Sequence, residues 1–199
     1  MEANGVTLIR YGNTNTFYIA GTKGGLLLDT DYAGTLQPFF RAIKEKGIEV
    51  KDITYLLATH YHPDHIGLAG ELQELGVKLL VVDVQKKNVH FAERLFIRES
   101  RDYMPVNLNR AKIITCAESR KVLEKTGIRG EIIHTPSHSR DSVTLLLDGG
   151  DAFVGDLEPR EYIDAYDEEK GLDLRRDWRE IMSRRPKRIW YGHANANVL

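Results

Sequence analysis

A chain of 199 residues with 42% hydrophobic and 29% charged residues carries enough apolar side chain for one well-buried core. A formal net charge of −1 leaves no whole-molecule field to draw in nucleic acid or an anionic membrane. No apolar run approaches the roughly 20 residues that span a bilayer, and Met1-Glu2-Ala3-Asn4-Gly5 lacks the basic-then-apolar pattern of a secretory signal. The single cysteine, Cys116, excludes an internal disulfide framework and reads as a small buried hydrophobe, so a reducing, cytoplasmic setting is expected.

In chain order, residues 6–10, 16–20 and 25–28 read as three short strands. Thr22-Lys23-Gly24-Gly25 supplies turn chemistry between the second and third, so antiparallel hairpins open the fold. Leu36, Phe39, Phe40 and Ile43 recur at helical spacing ahead of Gly47, which predicts an amphipathic helix over 35–46 lying on a sheet. Residues 53–58 read as a buried strand. Thr59-His60-Tyr61-His62-Pro63-Asp64-His65 follows at once, and Pro63 with Ile66-Gly67 places it on a loop at the strand end.

Leu68, Leu72 and Leu75 mark a helix ended by Gly76, and residues 77–82 form the next strand. From 83 to about 110 the pattern is helical but irregular, with Val89, Ala92 and Phe96 on one face and a break at Met104-Pro105. Its basic residues, Lys86, Lys87, Arg94, Arg98 and Arg101, read as a solvated face in preference to a lid. Strands are expected over 112–115, 131–135, 143–147 and 152–154, the last two joined by the hairpin signal Asp148-Gly149-Gly150. Between Glu158 and Glu169 six acidic residues face one arginine, an exposed loop of opposite sign. Leu174, Trp178, Ile181 and Met182 define a last helix, and 188–191 closes the sheet. Strands and helices alternate in two halves with no dividing linker, which predicts one domain over 1–199 built from two mixed sheets with helices outside.

Three imidazoles and a carboxylate fall within six residues, His60 to His65. Neutral imidazole and ionised carboxylate are the ligands that zinc and similar cations take, and four of them in one loop point to two ions. His138 in Thr135-Pro136-Ser137-His138-Ser139, Asp156 in Val154-Gly155-Asp156 and His193 in Tyr191-Gly192-His193-Ala194 each follow a predicted strand.

The set His60-x-His62-x-Asp64-His65, His138, Asp156 and His193 resembles the metallo-β-lactamase superfamily, in the manner of a small glyoxalase II-like metal-dependent hydrolase, over nearly the whole chain. One departure is Ser137, where the family's turn usually has Gly. The resemblance implies a four-layer αββα sandwich of α/β (α+β) class. It also implies two divalent metal ions, zinc with iron or manganese as alternatives. His60, His62 and His138 would hold one, Asp64, His65 and His193 the other, and Asp156 would bridge them. Such a pair can share a hydroxide formed near neutral pH, with Asp64 orienting it and taking its proton.

Leu28-Asp29-Thr30-Asp31 resembles the family's Asp-Thr-Gly turn with Asp31 in place of Gly. Asp29 would brace the ligand loop or simply cap a turn. Tyr61, Tyr162 and Arg140 are candidates for substrate contact, with packing or solvation as the alternative for each. His134 and His90 match no ligand position.

The expected function is hydrolysis of an ester, thioester or lactone in a small-molecule substrate, with neither nucleic acid nor membrane as partner. Glyoxalase II itself fits poorly because only six residues follow His193, and a secreted β-lactamase is disfavoured by the missing signal. A phosphodiesterase or nuclease would want a more basic surface. The alternative from another class is a mononuclear-iron persulfide dioxygenase-like oxidoreductase. A non-catalytic metal-binding domain is the least favoured, since the ligand set is complete.

Overall fold

In the computed structural model, which describes residues 5–99, 101–166 and 168–199, the chain forms two sheets. The first contains β1 (Val6–Ile9), β2 (Thr16–Gly21), β3 (Gly24–Leu28), β4 (Ile53–Leu57), β5 (Lys78–Val82) and β6 (Lys112–Ile114), in that spatial order. Strands β1 to β3 run antiparallel, and β3 to β6 run parallel through helical crossovers. The second contains β7 (Gly130–His134), β8 (Val143–Leu147), β9 (Asp151–Gly155), β10 (Arg188–Tyr191) and β11 (Asn197–Val198), in reverse order across the sheet. Only β9 and β10 are parallel in it.

Side chains on these strands alternate between layers, as a period of two requires. Leu27, Leu56, Leu79 and Val81 face the helices α1 (Leu36–Glu45), α2 (Pro63–Ile66), α3 (Ala69–Glu74) and α4 (Glu93–Arg98), where Phe39, Ile43, Leu72 and Phe96 meet them. Their neighbours Leu26, Leu28, Leu57, Leu80 and Val82 face the other way, onto Ile132, Val143, Leu145, Phe153 and Trp190 of the second sheet. On that sheet's far side, Ala152, Val154, Ile189 and Tyr191 pack on Leu174, Trp178 and Ile181 of α6 (Glu168–Ser183). Three apolar seams between four layers make the αββα sandwich that the family resemblance implies, built from the two mixed sheets that the strand and helix pattern predicts.

Several local expectations are corrected. The segment 83–110 is not one irregular helix: a 3-10 turn at Asp83–Gln85, further turns, the short α4 and a 3-10 turn at Leu108–Arg110 replace it. Gln85 and Asn88 spend their side chains on backbone and carboxylate groups across the fold, which pins the segment by polar anchors and not by a continuous helix. The helix α5 (Cys116–Leu123), packed beside β7, lies outside every predicted element. Its signal is the Thr115/Glu118 capping box, in which Thr115 Oγ1 accepts from the Glu118 N–H and Glu118 Oε2 accepts from the Thr115 N–H. Thr115→Ala should therefore cost about 1 kcal/mol, read as a lower denaturation midpoint with metal content unchanged; an unshifted midpoint would show the box to be idle. Finally, β10 does not close its sheet, since β11 adds an antiparallel edge outside it. Among the described residues, no helix is long and apolar enough to cross a membrane.

Candidate metal centre

The strand ends that carry the motif residues come together on one rim of the sandwich. Register places Leu28 beside Leu57 and Tyr191 beside Gly155, so the segments leaving β3, β4, β9 and β10 emerge side by side. The loop after β4 is tied across to the second sheet by the Val143 N–H, which donates to the Thr59 carbonyl at 2.8 Å. His60 and His62 lie in that loop, but Pro63 opens a single helical turn, so Asp64 and His65 sit on α2 and not on a loop. A proline at the first helical position loses no intrahelical bond and presets the backbone.

All seven side chains converge. The candidate ligand atoms of His60, His62 and His138 lie within 4.8 Å of one another, as do those of His60, His65 and Asp156, and those of Asp64, His65 and His193. His138 Nε2 is 3.3 Å from His62 Nδ1, close to the edge of about 3.3 Å that a tetrahedron with 2.0–2.1 Å arms would have. Asp156 Oδ2 lies 3.9 Å from both His60 Nε2 and His138 Nε2 and 3.5 Å from His193 Nε2, while its Oδ1 is 3.3 Å from His65 Nε2. Asp64 Oδ2 lies 3.1 Å from His193 Nε2 and 3.9 Å from His65 Nε2.

The chemistry of these donors fits divalent cations. His60 Nε2, His65 Nε2 and Asp156 Oδ1 are buried with no hydrogen-bond partner, a costly arrangement for groups of this polarity unless something else satisfies them. Burial, then the nearby His65, hold His60 well below the usual histidine range, and burial lowers His138 as well. Both therefore present neutral imidazole. Burial opposes ionisation of Asp156, yet the nearby His193 and His65 hold its carboxyl far below the usual range, and His193 lowers that of Asp64. His193 is pushed up to about 11 by its bonds to Asp156 and Asp64. His65 reaches about 10 against its burial, chiefly through Asp29. Asp29, Asp64 and Asp156 thus favour positive charge in the second half of the cluster, where a cation would stand.

The surrounding residues fix these side chains. Asp29, in a left-handed conformation at φ +57°, accepts from the Thr59 N–H at 2.6 Å, from Thr59 Oγ1 at 2.8 Å and pairs with His65 Nδ1 at 3.0 Å. Its bracing role is thereby more than a turn cap, and it leaves His65 Nε2 facing the cluster. Two glycines permit the close approach: a Cβ on Gly155 would lie 2.5 Å from Thr59 Oγ1, and one on Gly192 would lie 2.5 Å from Asp156 Oδ1. Ser137 needs no left-handed backbone, and its N–H donates to Asp177 Oδ2 on α6 at 2.8 Å. The substitution for Gly is therefore tolerated in this turn.

Three further positioning residues have no role assigned from the sequence. Asp31 is buried and accepts from the N–H groups of Thr14 and Tyr32, which holds the loop whose Asn13 carbonyl meets His193 Nδ1 at 3.1 Å. Asp141 accepts from the Tyr61 N–H, Asn88 Nδ2 and Ser139 Oγ, and Gln85 Nε2 donates to the carbonyls of Ala58 and Asp141. Both tie the His60 loop to the His138 loop. Asp31 stands in the family-like turn only as the residue that replaces Gly, and Asp141 and Gln85 lie in no metal motif, so each looks like an ordinary polar residue.

The other candidates separate. Tyr61 is 0% exposed and belongs to the core under the first sheet, so it does not face the cluster. Tyr162 is 54% exposed, and Arg140 is exposed with its carbonyl meeting His134 Nε2. His90 pairs with Glu93 on the surface. Cys116 is half-buried at the start of α5, its thiol pushed up by burial and then by Asp83.

An αββα sandwich with a His/Asp cluster at the strand ends defines a metal-binding protein class, and the sequence comparison names it. A family model of the Metallo-beta-lactamase superfamily matches residues 9–193, and the chain belongs to that superfamily. It is 26% identical over 186 residues to the Beta-lactamase-like protein 2 homolog of Drosophila melanogaster, covering 92% of this chain and 59% of that protein. It therefore spans about three-fifths of that curated relative's length. A shorter match, 32% identical over 91 residues, is to the Putative diflavin flavoprotein A 2 of Synechocystis, covering 45% of this chain and 15% of that one. The fold is similar to a metallo-beta-lactamase family protein of Thermus thermophilus, at TM-score 0.73 and 20% identity over 98% of this chain and 75% of that one. It is also similar to a protein solved in a di-iron-bound form, at TM-score 0.69 and 19% identity over 93% and 89% of the two chains.

Proposed function

We propose that this chain is a metal-dependent hydrolase that cleaves an ester, thioester or lactone bond in a small-molecule substrate. His60, His62 and His138 would hold one divalent ion, Asp64, His65 and His193 a second, and Asp156 would lie between the two. The observation that carries the reading is the overlap of three ligand groups around buried, unpartnered nitrogen and oxygen atoms. Zinc is the first expectation, and the di-iron form of one fold relative gives reason to test iron beside it. When bound, such ions supply a lowered water pKa and polarisation of the scissile carbonyl.

The chain's own part is to hold that geometry and to move a proton. Asp64 is the candidate proton carrier: its carboxylate stays ionised beside His193 and its Oδ2 faces the same space as Asp156 Oδ2. A carboxylate there lies within hydrogen-bond reach of water at the cluster. Asp29 keeps the His65 ring oriented, and the Gly192 backbone packs against Asp156 and His65.

Asp64→Asn should lower kcat by about 10²-fold with a smaller change in KM, since proton transfer matters chiefly in the transition state. Steady-state kinetics on variant protein with measured metal content checks this; an unchanged kcat at full loading would remove Asp64 from the reaction. Purified protein assayed on thioesters, lactones, β-lactams and phosphodiesters, before and after chelation and readdition of zinc, cobalt or manganese, tests the activity itself. Metal-dependent hydrolysis of an ester, thioester or lactone is expected. Inertness on all of these, together with oxygen consumption on a persulfide, would replace the reading with the iron oxidoreductase.

A further inference from the structure

Beside Asp156 a cavity of about 250 Å³ opens off the cluster, with His138, Asp156 and His193 at its floor. Its walls are apolar: Leu157 and Pro159 come from the segment after β9, and Tyr191 and Ala194 from the turn that carries His193. Among the described residues, no lysine or arginine lines it. Glu158 is, among the described residues, the one charged side chain there outside the candidate ligands. The volume is below the roughly 300–1,000 Å³ of pockets that take drug-sized ligands, so it suits a compact group.

Glu158 is placed by its surroundings. Trp178 Nε1 on α6 donates to the Glu158 carbonyl at 2.9 Å, and the Leu157 side chain before it is buried in the seam under α6. The Tyr166 hydroxyl hydrogen-bonds to the Glu158 side chain.

We propose that this cavity is a substrate subsite and that Glu158 makes it select compact groups that are uncharged or carry an ammonium over groups that carry a carboxylate. The substrate side of the inference rests on the hydrolase reading above: the acyl part of the ester, thioester or lactone enters the pouch with its carbonyl at the cluster. Apolar walls favour a hydrocarbon group through burial. A carboxylate in the same space meets Glu158, with no arginine or lysine among the described lining residues to offset it, and like charges brought together are penalised.

The test uses binding, so it does not depend on turnover. Cobalt-loaded protein is titrated with three benzenethiols bearing a para-methyl, para-aminomethyl or para-carboxylate group. Sulfur-to-cobalt absorption reports binding, and the rigid ring keeps the para group from reaching the ion. Wild-type protein should bind the methyl and aminomethyl thiols at least about tenfold more tightly than the carboxylate thiol. Glu158→Gln should shrink that ratio to within about threefold, and Glu158→Lys should invert it. Comparing each ratio with wild type cancels differences in thiol acidity.

A carboxylate thiol that binds wild-type protein as tightly as the methyl thiol would overturn the proposal. So would a ratio that neither variant moves. Protein that shows the ratio but hydrolyses no ester, thioester or lactone loses the hydrolase reading and keeps the subsite; hydrolysis without the discrimination loses the subsite alone. Protein that takes up no cobalt overturns both.

Discussion

Asp156→Ala should bind fewer than one divalent ion per chain under conditions in which the parent protein binds two, and its hydrolytic activity should fall by at least about 10³-fold. The expectation follows from position. Asp156 is the carboxylate that approaches both halves of the cluster, with Oδ2 near His60, His138 and His193 and Oδ1 near His65. Asp64, within the cluster's described residues, approaches His65 and His193. Removing Asp156 also leaves His65 Nε2 and His60 Nε2 buried without the anion they face. Competition with a chelator of known affinity, run on Asp156→Ala and Asp64→Asn in parallel, gives the order of metal retention. Undiminished affinity for both ions in Asp156→Ala would show that this aspartate does not link them.

Asp29→Ala should have the second large effect, and on stability as well as on metal. The substitution leaves the Thr59 N–H, Thr59 Oγ1 and His65 Nδ1 buried without their acceptor, at about 1–3 kcal/mol for each unsatisfied group. It also places alanine at φ +57°, a conformation that Asp and Asn reach more easily. A loss of several kcal/mol in urea unfolding and a roughly 10–100-fold weaker hold on the ion near His65 are expected. Asp29→Asn keeps the shape and one acceptor oxygen, so it should recover much of the stability and less of the affinity. Alanine and parent proteins with equal unfolding midpoints and equal metal affinity would show that Asp29 is only a turn residue.

The fold is largely legible in the sequence because its signals are periodic. Leu26 to Leu28, Leu79 to Val82 and Ala152 to Val154 alternate faces or run apolar where both faces are covered, and Leu36 to Ile43 keeps helical spacing. Where polar side chains replace periodicity as the organising force, that legibility ends. Gln85 and Asn88 pin the segment after β5 through contacts to Ala58 and Asp141 far away in sequence. The α5 helix is short, is started by a capping box and shows only a weak apolar face.

The candidate site divides in the same way. Its seven side chains can be named because imidazole and carboxylate at close spacing after strands have few structural reasons to occur together. Their supports cannot, with the exception of Asp29. Asp31 and Asp141 act through the backbone N–H groups of Thr14, Tyr32 and Tyr61, and a contact of that kind leaves no residue-type pattern to read. Tyr61 shows the converse: adjacency to His60 and His62 makes it a candidate for substrate contact, and the structure takes its packing alternative, with the ring in the core.

The claim at the centre of the account is a shared two-ion site, and anomalous diffraction from metal-loaded crystals, collected at the zinc and iron edges, tests it most directly. The account predicts two peaks, one among His60, His62 and His138 and one among Asp64, His65 and His193, with Asp156 between them and metal–ligand distances of about 2.0–2.2 Å if the metal is zinc. A single peak that leaves Asp64, His65 and His193 uninvolved would contradict it.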